Sequence, residues 1–510
     1  MFFIPQRAGK LLIFMISILF LVGCYRPVAR YEPWQVPKSD SVEVIVPTKG
    51  IVNSPMPTTT LPRPETTPTP NAPKLLPTLR TESIEYIVQS GDTLARIALS
   101  HQVSVAQILA INEIENPNLI EVGQVFIIPP ASTNAQATGF KIIPDTELVL
   151  GPSTIGFDIE EAAEHAGGYL VTYSEVMDEG VFTGIQIVQR VANEYSVNPR
   201  VLLALLEYRS RWLSLSEPDS KTLEYPIGFA DPYRKGLYNQ LGWAANQLNR
   251  GFYLWQDNAL AVWTLADGTV LRIDPTINAG TAGVQYFLSL LYDHVGWDLA
   301  VSENGLSSTY QRLFGYAFDY IFEPLIPDNL QQPNMILPFT PGDIWSYTSG
   351  PHGGWNDGSA WAALDFAPPG EALDCYPSAS YVNASADGLI VRSALGAVVQ
   401  ELDGDGHEQT GWTILYMHIG SEGRVDVGTY VKAGDVIGHP SCEGGFSSGT
   451  HLHIARRYNG VWISAIGDSP FEMDGWLSSG DGIEYDGYLV KNGQTLTAWN
   501  GRTSFNQISR

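Results

Sequence analysis

The sequence predicts a multidomain α+β protein, and three observations carry that reading. At 510 residues the chain is longer than one ordinary core requires, so about two to four domains are expected. Residues 181–325 set apolar side chains at helical spacing, whereas residues 352–453 alternate strand-forming runs with Gly- and Asp-containing turns. Hydrophobic residues make up 44% and charged residues 16%, which excludes global disorder. Lys plus Arg number 29 against 54 Asp plus Glu, a net charge of −25. So anionic a surface argues against nucleic acid or an acidic membrane surface as the main partner.

The first residues read as a processing signal. Arg7 and Lys10 precede an apolar run from Leu11 to Val22 in which Ser17 is the sole polar side chain. The run is too short to span a bilayer comfortably, and small Gly23 suits a cleavage point, so residues 1–23 read as a signal peptide. Leu21-Val22-Gly23-Cys24 resembles the lipobox of bacterial lipoproteins. The resemblance implies lipidation at Cys24, a membrane partner reached through that lipid, and display on the extracytoplasmic side of the cell envelope. An ordinary N-terminal anchor helix is the alternative. Export also lets Cys375 and Cys442 oxidise, closing a long loop at a gain of about 4 kcal/mol. Two buried free thiols are the other possibility.

Residues 24–84 form a Pro/Thr-rich linker. Proline recurs from Pro27 to Pro77 with clusters such as Thr58-Thr59-Thr60 between, and it can build neither a sheet nor a long helix. At about 3.1 Å per residue such a segment reaches at most roughly 180 Å.

Residues 85–130 read as strand, helix, helix, strand. Tyr86-Ile87-Val88 opens the unit, Gly91-Asp92-Thr93-Leu94 turns it into a helix, and Gln124-Val125-Phe126-Ile127-Ile128-Pro129 closes it. This βααβ pattern resembles a LysM module. The resemblance implies binding of the N-acetylglucosamine strands of peptidoglycan or chitin in a shallow groove, with Gly91, Asp92, Thr93, Asn118 and Ile120 as the carbohydrate-binding candidates.

Residues 140–335 are expected to be a helical domain. Ile185, Val188, Val191 and Ala192 share one buried stripe, and Asn198 caps a second helix with Pro199 at its first position. Asn198 to Glu207 resembles the acid-bearing helix of lysozyme-like lytic transglycosylases. That family's acid directly precedes a serine, but here Arg209 precedes Ser210. Glu207 stands two residues earlier, about 200° around the helix. The segment therefore reads as lysozyme-like and non-catalytic, a plain helical bundle being the alternative.

Six of the nine histidines lie between positions 352 and 453. In His451-Leu452-His453 a strand would turn both imidazoles to one side, and His418 ends a neighbouring predicted strand. Cys442 to His453, followed by Tyr458-Asn459-Gly460, resembles the terminal motif of the lysostaphin-type zinc endopeptidases, in their β-lytic and staphylolytic branch. That branch separates its first His and Asp by thirteen residues, as His352 and Asp365 are separated here. The resemblance implies an antiparallel β-rich zinc peptidase domain over residues 336–466. It implies one Zn2+ per chain on His352, Asp365 and His453, with His418 and His451 as the catalytic proton-transfer pair; spacing alone leaves open which of His451 and His453 is the ligand.

Asp403-Gly404-Asp405-Gly406 reads as a hairpin turn in preference to a calcium loop. Residues 467–510 read as hairpins covering the sheet. The whole is expected to be an envelope-anchored peptidoglycan endopeptidase. The alternatives are an inactive wall-binding protein that activates another hydrolase, and a muramidase using Glu207.

Overall fold

The computed structural model of the chain describes residues 68–510, apart from 90, 91, 115, 118, 132, 134, 371–373 and 377. The signal segment, Cys24, Gly91 and Asn118 therefore lie outside the described residues. Of residues 68–83, read as the end of the linker, the stretch from Asn71 to Pro77 is instead laid along the helical domain, and Leu79 and Arg80 pack on the βααβ unit. The amides of Asn71 and Lys74 donate to the carbonyls of Thr276 and Pro275, and Arg272 donates to Pro77 O at 3.0 Å. An extended chain with no internal hydrogen bonds leaves its polar groups free for such pairing.

The next unit is βααβ as expected. Strand β1 (Ile84–Ile87) pairs antiparallel with β2 (Val125–Ile128), and α1 (Leu94–Ser100) and α2 (Val105–Ile111) lie between them in sequence. Ser104 caps α2 through a reciprocal bond with Gln107. Val88, Leu94, Ile97, Ile108, Phe126 and Ile128 make a small separate core.

The helical domain contains α3 (Ile159–Ala166), α4 (Gly184–Tyr195), α5 (Pro199–Ser210), α6 (Leu237–Gln256), α7 (Ala279–Ser289), α8 (His294–Ala300) and α9 (Leu306–Phe314). Two hairpins interrupt them, β3 (Ser174–Met177) with β4 (Gly180–Thr183), and β5 (Val262–Thr264) with β6 (Val270–Arg272). The helix stops and starts follow the sequence: Asn198 accepts from the Arg200 amide, and Pro199 opens α5. Gly251 lets α6 and α7 cross closely, since a Cβ there would stand 2.5 Å from the Cβ of Tyr286.

Beyond Leu337 the chain becomes β-rich. Strands β7 (Trp345–His352), β8 (Ala363–Ala367), β9 (Val382–Asn383), β10 (Gly388–Ala394), β11 (Ala397–Glu401), β12 (Trp412–Met417), β13 (Tyr430–Val431), β14 (Val436–Gly438), β15 (Leu452–Tyr458) and β16 (Val461–Trp462) follow. The C-terminal segment adds β17 (Glu472–Met473), β18 (Trp476–Ser479), β19 (Tyr488–Lys491), β20 (Gln494–Thr497) and β21 (Gln507–Ile508). The main antiparallel sheet runs β13-β10-β11-β12-β15-β8-β7-β21, with β16 paired to β15. β17 to β20 form their own sheet, and β21 closes the β7 edge.

Period-two alternation divides the sheet's work between its faces. Leu364, Phe366, Ile414, Tyr416, Leu452 and Ile454 point into a core shared with Leu337, Phe339 and the C-terminal hairpins. Ala363, Val399, Leu415, Met417 and Ala455 point the other way, into one continuous core with the helical domain. Asp365 and His453 belong to that second face by alternation. Helical domain and sheet are therefore one packed body, with the histidine-rich end at its margin.

A buried ion pair fastens this contact. Glu408 receives Arg457 at 2.6 Å and Arg392 at 3.0 Å, and Arg457 also donates to Ser196 Oγ in the helical domain at 3.1 Å. Burial alone raises the Glu408 carboxyl, but the two guanidinium groups outweigh it and hold it at about 2. A depressed folded-state value stabilises the protein above the unfolded carboxyl pKa, and that stability is lost as pH falls towards 2. Glu408→Gln should therefore cost about 3–5 kcal/mol at neutral pH, because it strands the buried Arg457 and the partly buried Arg392. In thermal melts of the full chain, the gap between wild type and variant should shrink as pH drops from about 5 to 2. Equal melting temperatures at neutral pH would refute this role.

Candidate metal centre

Two residues of the site follow from strand register. His453 on β15 stands directly opposite Asp365 on β8, and opposed residues in an antiparallel pair project from the same face. The third depends on irregularities in β7. Ser346 pairs with Ala367, but register shifts follow Tyr347 and Ser349, so that His352 rather than Gly350 faces Ala363. The two inserted residues leave the face of His352 unchanged but slide it along β8, so that it stands level with Ala363 and next to Asp365 on that face. The thirteen-residue spacing is thus two adjacent strands and their connecting loop.

His352 Nε2 lies 3.3 Å from Asp365 Oδ1 and 3.1 Å from His453 Nδ1, and His453 Nδ1 lies 3.2 Å from Asp365 Oδ1. All three side chains are buried. Main-chain carbonyls fix their protons. His352 Nδ1 donates to Gly350 O at 2.8 Å, and His453 Nε2 donates to Gly354 O at 3.1 Å. Each imidazole then turns its unprotonated nitrogen inward. Asp365 Oδ1 has no hydrogen-bond donor among the described residues.

Two neutral imidazoles and a carboxylate, all presenting lone pairs, fit a zinc ion. Donor atoms on a tetrahedral zinc stand about 3.3 Å apart, close to the separations found here. Second carbonyl partners that set the tautomer are the usual companions of such ligands.

His418 and His451 stand beside this set, their rings 4.4 Å apart. Both point Nδ1 at carbonyls of the glycine-rich loop before β15: His418 at Glu443 O, 3.1 Å, and His451 at Gly449 O, 2.7 Å. Their Nε2 atoms are left to accept protons, and His451 Nε2 is 3.8 Å from Asp365 Oδ2. Burial, then the neighbouring His451 and His453, lower His418 to about 3. His418 departs from its expected place on a strand. It follows β12 in the left-handed conformation, φ 64°, at a cost of about 1–2 kcal/mol. His451 likewise precedes β15 and forms an isolated bridge with Ser441.

The five residues line a cleft of about 820 Å³ whose walls sequence reasoning did not assign. Tyr195 and Tyr238 come from the helical domain and Trp355 from the β7–β8 loop. Tyr485, from the segment expected only to cover the sheet, stacks on His352 with ring centres 4.8 Å apart. The glycines Gly353-Gly354 and Gly444-Gly445 were the available signal for the orienting loops. Cys375 and Cys442 are joined in a disulfide, which ties the glycine-rich loop to the segment after β8.

Other candidates are less assembled. In the βααβ unit, Asp92 Oδ2 accepts from Tyr86 OH at 2.8 Å and the Gln89 amide at 2.7 Å, and Thr93 Oγ accepts from the Arg96 amide at 3.1 Å. Ile120 packs on the small core. These three are engaged in holding their own loops. Glu207 is buried, its carboxylate accepting from Ser214 N at 3.1 Å, Ser214 Oγ at 2.7 Å and Arg312 at 3.1 Å. With its oxygens turned onto Ser214 and Arg312, the carboxyl is not presented to a scissile glycosidic bond, as a glycosidase acid must be. In the turn at 403–406, the amides of Asp403, Gly404 and Gly406 close on the Glu401 carboxylate, as a turn requires.

Comparison with known proteins gives three family matches. Residues 86–129 match the LysM domain, 141–324 the N-terminal domain of LasA, and 370–465 peptidase family M23. The second covers the segment with the lysozyme-like resemblance; the third includes His418, His451 and His453 and begins after His352 and Asp365. Protease LasA of Pseudomonas aeruginosa is 25% identical over 382 residues, 69% of this chain and 84% of LasA. Among solved structures, the M23 metalloprotease pseudoalterin from the deep sea shares 25% identity at a TM-score of 0.28, covering 35% of this chain and 99% of its own. The catalytic domain of lysostaphin from Staphylococcus simulans shares 26% at a TM-score of 0.17, covering 24% and 87%. The chain carries a LysM domain and a peptidase family M23 domain, and it is a zinc metalloendopeptidase homologous to LasA.

Proposed function

We propose that the chain hydrolyses peptidoglycan at the bacterial cell envelope, cutting stem peptides or cross-bridges with one zinc held by His352, Asp365 and His453. The observation that carries this is the buried set of three converging acceptors with two further histidines aimed at it. Zinc in such a site supplies a Lewis acid that brings a water's pKa towards 7 and polarises the scissile carbonyl.

The chain's own groups do the rest. His418 and His451 are anchored at Nδ1, so each offers Nε2 to the reacting groups. One takes a proton from the attacking water at Nε2 and returns it to the leaving amine; the other steadies the developing negative charge when its Nε2 also carries a proton. His418 stays neutral at working pH because of its burial. Trp355, Phe446, Tyr485 and Trp499 line the cleft where an extended peptide would lie. The LysM domain adds affinity for the glycan, and a lipid on Cys24 with the proline-rich linker would tether the enzyme within reach of the wall.

The geometry argues against both alternatives. An inactive binder has no need of three intact ligands and two oriented histidines. A muramidase would need Glu207, whose oxygens are occupied by Ser214 and Arg312.

The purified full chain should contain about one zinc, and His453→Ala should lose both metal and peptide release. Full zinc occupancy in that variant contradicts the ligand assignment. His418→Ala and His451→Ala should keep their zinc yet release peptides from peptidoglycan at least about a hundredfold more slowly. If His451→Ala loses zinc while His453→Ala retains it, ligand and proton carrier have been exchanged. Glu207→Gln should lower the melting temperature and leave peptide release per folded molecule unchanged. Reducing ends released by wild type and lost in this variant would restore the muramidase reading.

A further inference from the structure

The loop joining β7 to β8 links two of the three proposed ligands, His352 and Asp365, and its Gly354 carbonyl orients the third. Gly354 O accepts from His453 Nε2, leaving Nδ1 for the metal. Inside the loop, Trp355 N donates to Ser359 Oγ at 2.9 Å, and Gly354 N to Ala360 O at 3.0 Å. What fixes the loop in space lies outside the peptidase sheet. Asn246 and Arg250 sit one turn apart on α6 of the helical domain and so share a face. Asn246 Nδ2 donates to Asp357 Oδ1 at 2.7 Å, and Asn246 Oδ1 accepts from the Gly358 amide at 2.9 Å. Arg250 Nη2 meets Asp357 Oδ2 at 2.6 Å and Asp357 O at 3.2 Å. Both carboxylate oxygens, the carbonyl and the next amide are thus held by one helix. The loop tip lies flush on that helix: a Cβ at Gly358 would stand 2.0 Å from Asn246 O.

We propose that Asn246 and Arg250 are positioning residues of the metal centre, acting through Asp357-Gly358 and the Gly354 carbonyl to hold His453 and the β7–β8 ligands in their metal-binding geometry. The helical domain then completes the site as well as walling its cleft. This rests on the zinc reading above. Without the clamp the loop is free to move, Gly354 O leaves His453 Nε2, and the imidazole can adopt the other tautomer or rotate. Loss of such an outer partner typically weakens metal affinity 10–100-fold.

The test is zinc affinity of the full chain, measured by competition with a chromogenic chelator, alongside melting temperature in EDTA. Arg250→Ala and Asp357→Asn should each bind zinc about tenfold or more weakly, and Arg250→Lys, which keeps the charge facing Asp357, should recover most of the loss. Glu408→Gln serves as the structural control: it loosens the same domain contact away from the loop, so it should melt earlier with zinc affinity unchanged. If Arg250→Ala does not fold, Asp357→Asn carries the test alone. Wild-type affinity in Asp357→Asn, or an equal loss in Glu408→Gln, overturns the proposal while leaving the zinc site intact. Failure of wild type to bind zinc overturns the underlying reading instead.

Discussion

Three acceptor atoms without protons stand 3.1–3.3 Å from one another, out of water. Left to themselves they repel, and burying a carboxylate among them is costly unless a cation or proton joins the group. Such an arrangement survives only where the surrounding chain forbids every easier one. Gly350 O and Gly354 O do so by taking the protons of His352 and His453 at the outer nitrogens. Glu443 O and Gly449 O do the same for His418 and His451. The chemistry is carried by side chains, but its direction is set by carbonyls in glycine-containing loops.

Those loops are held by different means. The 442–450 loop is crosslinked to the segment after β8 by the Cys375–Cys442 disulfide. The β7–β8 loop rests on α6 through Asp357. The same face of the sheet that carries Asp365 and His453 runs on into Ala363 and Ala455, which are sealed against the helical domain. Alternation along a strand thereby couples a polar site at one end with an apolar contact at the other. The Glu408 ion pair fastens that contact where the apolar packing meets charge.

Much of this was legible in the sequence because it is periodic or closely spaced. Asn198-Pro199 announced α5, the βααβ unit followed its apolar pattern, and the strand-forming runs expected between 352 and 453 include those at 388–394, 397–401 and 412–417. His352 and Asp365 were singled out through the family resemblance, whereas the two register shifts in β7 that set them side by side left no mark in the residue pattern. His418 escaped its strand because a left-handed residue after β12 has no sequence signature when it is not glycine. Tyr195, Tyr238 and Tyr485 reach the cleft from segments distant in sequence, and no local pattern encodes such contacts. The extended run at 68–83 was likewise hidden, because what holds it is the surface of the helical domain and of the βααβ unit, and not its own composition.

A crystal structure of the zinc-loaded full chain, with anomalous differences measured at the zinc edge, tests the central claim most directly. The account predicts a single strong peak within about 2.0–2.2 Å of His352 Nε2, Asp365 Oδ1 and His453 Nδ1. His418 and His451 should stand close by without bonding to it. A peak held by His451 or His418 in place of His453, or bonded through His453 Nε2, would contradict the assignment of ligands and of the carbonyls that orient them.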